Sequence, residues 1–152
     1  MATRPTKAKD VSAKGFSAAE QAAMKARAKE LKAEQRAGDK RRKGEAQLLS
    51  AIEEMPPADQ QLATKIHAIV GAVAPQLFPK TWYGMPAWAN EDGKVVCFFK
   101  AAAKFENRYA ELGFNEDANL DDGAIWPTVF AVTRITKPVE QQLRELVARA
   151  VS

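Results

Sequence analysis

Ala87-Trp88-Ala89-Asn90-Glu91-Asp92-Gly93-Lys94-Val95-Val96-Cys97-Phe98-Phe99-Lys100 is the stretch whose reading decides the fold. Ala87-Trp88 and Lys94 to Lys100 flank Asn90-Glu91-Asp92-Gly93, a loop in which Gly93 can supply a positive φ angle. The pattern predicts a β-hairpin. Upstream the period is that of a helix: Leu62, Ile66, Ile69, Val70 and Val73 predict a helix over residues 58–74 that buries one stripe and stops before Pro75. Downstream, strands are expected at about Asn107 to Leu112 and Thr128 to Ile135. Thr136 can then cap a helix carrying Val139, Leu143, Leu146, Val147 and Ala150 on one face. Helices, then consecutive strands, then a helix argue for the α+β class, a small antiparallel sheet covered by helices.

Towards the N-terminus the chain becomes a basic helical extension. Residues 1–45 carry thirteen Lys or Arg against six Asp or Glu, whereas residues 46–152 carry ten against thirteen, so the formal charge of +4 belongs to the N-terminal part. Residues 1–15 are polar and without periodicity, which predicts a disordered basic arm. Ser17-Ala18-Ala19-Glu20 has the capping-box pattern, and the Ala-rich run after it predicts a helix to about Gly38. A charged hinge from Asp39 to Gly44 should follow, closing an extension over residues 16–44. The compact domain is expected over residues 45–152, with a short helix from Glu45 to Glu54 stopped by Met55-Pro56-Pro57. A cationic extension can hold nucleic acid by releasing counterions from phosphates, or can simply keep an exposed arm soluble.

Several function classes find no support. No apolar run is long enough for a membrane helix, and the basic N-terminus lacks the apolar centre of a secretory signal, so a cytoplasmic protein is expected. The lone cysteine, Cys97, forms no internal disulfide, and its Val and Phe neighbours mark it as a small core residue. With one histidine, His67, no zinc site can be assembled, and the glycine-rich and nucleophile motifs of common enzymes are missing.

Candidate binding groups concentrate between Trp82 and Phe130, which hold ten of the twelve aromatic residues. Trp82-Tyr83-Gly84-Met85-Pro86 reads as a rigid turn, because Gly allows close backbone approach and Pro fixes the exit. Trp82, Tyr83, Trp88, Phe99 and Trp126 can line an apolar cleft with Lys100 and carboxylates at its rim, and they can equally cover a small sheet. Trp82 and Trp126 are expected to be largely buried and to border any pocket. In the loop from Asn115 to Gly123, Asp117, Asn119 and Asp121 alternate like the first ligands of a calcium loop. An EF-hand is excluded, because Asp122 stands where Gly is needed and Thr128 where a bidentate Glu is needed. Asp117, Asp121 and Asp122 are left as oxygen ligands for a hard cation such as iron, magnesium or manganese, or as a solvated turn.

Lys80-Thr81-Trp82-Tyr83-Gly84-Met85-Pro86-Ala87-Trp88, Gly93 to Lys100, Leu112-Gly113-Phe114, Leu120-Asp121-Asp122-Gly123 and Trp126-Pro127 together resemble the YdhG-like family, a bacterial domain of unknown function. The resemblance covers residues 45–152 and implies a small α+β domain. Some members have been proposed as frataxin-like iron chaperones, so it also implies intracellular iron binding, without a ligand set that transfers position by position. The expected function is a non-catalytic binding or accessory protein, with iron the cofactor or cargo that the resemblance implies. The alternatives are a nucleic-acid-associated protein using residues 1–44 and an enzyme acting on a small molecule in the aromatic cleft.

Overall fold

In the computed structural model, which describes residues 17–152, the capping box opens the first helix. Ser17 N–H donates to Glu20 Oε1 at 2.9 Å, and Glu20 N–H donates to Ser17 Oγ at 3.1 Å. The arm over residues 1–15 lies outside the described residues. Helix α1 runs Ala18–Glu53, so the expected stop at Gly38 and the hinge from Asp39 to Gly44 are corrected: both segments are helical. A glycine costs a helix only about 1 kcal/mol relative to alanine. Here tertiary contacts offset that cost: Arg41 donates to Leu77 O at 2.6 Å and Pro75 O at 3.2 Å, and Gly44, Leu48 and Ile52 are buried.

The chain divides into two units, one ending at Asp39 and the other Lys40–Ser152. In the first, the described residues from Ala18 onward are helical and almost wholly exposed, with Arg27 paired to Glu30 at 3.3 Å and Glu34 at 4.0 Å. The sequence-based boundary between residues 44 and 45 falls inside α1.

In the second unit, α2 spans Pro57–Val73 with proline at its start, where a missing N–H costs nothing. Leu62, Ala63, Ile66, Ile69 and Val70 form its buried stripe. Five strands follow: β1 Phe78–Trp82, β2 Met85–Ala89, β3 Val95–Lys100, β4 Ala110–Phe114 and β5 Val129–Val132. They form an antiparallel meander in chain order. Helix α3, Lys137–Ala150, closes the domain, and Thr136 Oγ1 accepts from Val139 N–H at 3.4 Å as its cap. The α+β arrangement expected from the pattern is the one observed.

Two expectations shift. Residues 82–86 are not one turn: Trp82 ends β1, Met85 and Pro86 begin β2, and only Tyr83-Gly84 turns, with φ of +51° and +76°. Two consecutive positive φ angles match the twist of a two-residue hairpin. Strand β4 also begins later than Asn107, since Glu106 turns at φ +55° and Asn107 N–H returns to Ala102 O.

The sheet has two unlike faces. Trp88, Cys97, Phe99, Leu112, Phe114 and Val132 pack with Leu48 and Ile52 of α1, the α2 stripe, and Leu143 and Val147 of α3 in one core. The register shifts between Trp88 and Ala89, which leaves Val96 as an extra residue on β3, and adjacent Val96 and Cys97 both join that core. The opposite face carries the row Lys80, Ala87, Phe98, Gly113 and Val129. There a Cβ on Gly113 would collide with the Phe98 ring, so the glycine lets that ring lie flat across β4.

Candidate functional site

Strand parity distributes the aromatic candidates over both sides of the sheet. Trp82 lies on the outer face, half-buried, with its ring 5.1 Å from Phe98 and 4.9 Å edge-on from Tyr83. Tyr83 is 81% exposed, and Gly84 O accepts from Lys104 Nζ at 3.3 Å. Met85 faces the same side as Trp82, its register partner, whereas Pro86 and Trp88 point into the core. Trp88 is 1% exposed. Lys100 stands at the end of β3 with Nζ 5.4 Å above the Phe105 ring. Trp126 is half-buried against the core. A single cleft lined by Trp82, Tyr83, Trp88, Phe99 and Trp126 is therefore not formed, because Trp88 and Phe99 face the helices and Trp82 and Tyr83 face away from them. Neither Trp82 nor Trp126 is as deeply buried as expected.

The acidic loop is pinned by its amides and not by its carboxylates. Asn115 N–H donates to Val96 O at 3.0 Å and Asn115 Nδ2 to Val95 O at 3.2 Å. Asn119 N–H reaches Ala150 O at 2.9 Å, and its Nδ2 reaches Ser152 O at 2.6 Å. Ala118 and Leu120 are buried, and Arg149 donates to Leu120 O at 3.1 Å. The chain between Asp117 and Asp121 is thus drawn onto the end of α3, which leaves Asp121 and Asp122 exposed. Asp117 borders an open depression of about 500 Å³ with Lys80, Trp82, Lys94 and Glu116. Among the described residues no three His, Cys, Asp or Glu side chains gather to hold a metal, so Asp117, Asp121 and Asp122 do not form a three-carboxylate cluster.

Sequence reasoning missed a partly buried polar chain. Trp88 Nε1–H donates to His67 Nδ1 at 3.2 Å, and His67 Nε2 lies 2.9 Å from Glu45 Oε2. An indole can only donate, so Nδ1 must accept and Nε2 carries the proton given to Glu45. The chain lines a cavity of about 390 Å³ together with Arg41, Leu77 and Pro79. Both imidazole nitrogens are engaged, so His67 can act as a base only by breaking one of these bonds. Cys97 is equally unsuited to attack: burial pushes its thiol up to about 12, which keeps it neutral and unreactive.

Free cationic surface lies on α1. Lys25, Lys29, Lys32 and Arg36 recur at intervals of four, three and four, which places them on one helix face. Arg27 sits with Glu30 and Glu34 on another face. Among the described residues the four basic groups of the first face have no ion pair. The signal was present in the sequence as spacing, and counting charge alone conceals it. Comparison with protein-family models, with curated proteins and with solved structures gave no match.

Proposed function

We propose that this chain is a non-catalytic, nucleic-acid-associated protein that grips phosphates with the basic face of α1. The observation that carries the reading is the row Lys25, Lys29, Lys32 and Arg36, which has no acidic partner among the described residues. At 1.5 Å per residue the row spans roughly 17 Å, enough to follow several successive phosphates. No aromatic side chain interleaves with it, so the contact is to backbone phosphates and carries no base sequence preference. No described helix is long and apolar enough to cross a membrane, and a lone buried thiol suits a reducing compartment, which supports a cytoplasmic site of action. Iron handling, the reading implied by resemblance to the YdhG-like family, has no three-ligand group among the described residues to support it.

The test is binding of a fluorescently labelled duplex at low salt by the parent and by a variant with Lys25, Lys29, Lys32 and Arg36 all changed to Gln. The expected result is a loss of at least about tenfold in affinity, since each phosphate contact releases counterions. Arg27→Gln, on the other face, should bind like the parent. Equal affinity of the parent and the fourfold variant would overturn the reading.

A further inference from the structure

A second basic feature lies within the Lys40–Ser152 unit and does not depend on the nucleic-acid reading. Gly44 of α1 approaches Pro79 of β1 so closely that an added Cβ would collide with the proline carbonyl. Lys43 precedes Gly44 and Lys80 follows Pro79, so the same contact brings both lysines to one cavity. Both line a cavity of about 200 Å³, together with Lys40, Gln47, Phe78 and Gly93. Lys40 Nζ stands 5.4 Å from the centre of the Phe78 ring, which also lines the cavity.

Three lysines thus line one small cavity whose lining contains no carboxylate. Among the described residues Lys40, Lys43 and Lys80 make no ion pair. The lining therefore carries positive residues without a counter-charge of its own. We infer that this cavity is a phosphate-monoester site, in which Lys40, Lys43 and Lys80 supply the charge and the Gln47 amide supplies further donors. A monoester carries roughly −1.5 to −2 at neutral pH and has three acceptor oxygens, which answers three ammonium groups better than a singly charged phosphodiester does. The volume suits the phosphate and the first atoms it esterifies. Beside Gly93 the space is open, since a Cβ built there meets nothing within 4 Å, so the rest of the ligand can leave on that side.

The ester can belong to a free phosphorylated metabolite or to the phosphorylated end of a nucleic-acid strand. Inorganic phosphate is the first probe, titrated against the full chain at constant ionic strength made up with chloride, with melting temperature as the readout. The parent should gain about 3 to 6 °C at phosphate tenfold above its dissociation constant. Lys43→Gln/Lys80→Gln should lose that response. Lys43→Arg/Lys80→Arg, which keeps the charge, should retain a response. The four-residue α1 variant described above should respond like the parent even if it no longer binds duplex, which separates failure of this site from failure of the nucleic-acid reading. Protection by a nucleoside 5′-monophosphate points to a small ligand. Tighter binding of a 5′-phosphorylated oligonucleotide than of its 5′-hydroxyl twin points to a strand end. No response in the parent, or the same response in Lys43→Gln/Lys80→Gln, overturns the site.

Discussion

Gly44 and Pro79 meet backbone to backbone, and no side chain larger than hydrogen fits at residue 44. This contact seats α1 on the edge strand of the sheet, where proline's missing N–H leaves no ladder bond unmade. Lys43 and Lys80 line one cavity as a consequence.

Replacing Gly44 by alanine should therefore destabilise the protein by about 1 to 3 kcal/mol, because the obstructing atoms are backbone and cannot rotate away. Gly71→Ala makes the matching control. A Cβ there meets nothing within 4 Å, and residue 71 lies inside α2, so the change should stabilise by roughly 0.5 to 1 kcal/mol. Urea denaturation of both variants checks the pair, and equal effects would contradict the proposed close approach.

The Trp88–His67 hydrogen bond should be visible in a substitution series. His67→Phe leaves a buried indole N–H without an acceptor and should cost about 1 to 3 kcal/mol. His67→Gln, which can still accept, should cost less. If the two variants are equally stable, the indole finds another partner.

Tyr83 sits at φ +51° with 81% of its surface exposed, a conformation that asparagine tolerates better in a hairpin turn. Tyr83→Asn should raise stability by roughly 0.5 to 1 kcal/mol. A loss of stability would show that the edge contact with Trp82 outweighs the backbone strain.

Cys97 sets an alkaline limit on stability. Its thiol is raised by burial from 9.0 to about 12, so the folded state holds its proton after the unfolded chain has released it. The stability contributed is complete below pH 9 and is lost as pH rises from about 9 towards 12, at up to roughly 1.4 kcal/mol per unit. Urea denaturation at pH 8 and pH 10 should show a steeper fall for the parent than for Cys97→Ala. Parallel falls would mean the thiol is not the cause.

What the sequence reveals about the fold is what local chemistry dictates. Ser17 with Glu20, Thr136 with Val139, and the Asn90–Gly93 loop involve partners a few residues apart, and all three form as read. The continuity of α1 through residues 38–44 depends on Arg41 reaching Leu77, 36 residues away, and no local pattern encodes that. Strand β1 carries little local signal, because Tyr-Gly is an uncommon pair for a two-residue turn and a proline such as Pro79 is disfavoured within strands. The aromatic candidates were grouped by proximity in sequence, but strand alternation sends Trp82 and Trp88 to opposite faces. The Glu45–His67–Trp88 chain joins residues 21 and 22 positions apart and likewise follows only from tertiary packing.

The most direct test of phosphate binding by α1 is the slope of log K against log salt for a duplex. Four phosphate contacts predict a slope of about −3.6, and Lys29→Gln/Lys32→Gln should make it less negative by about 1.8, whatever the duplex sequence. An unchanged slope in that variant, or no duplex binding by the parent at low salt, would contradict the account.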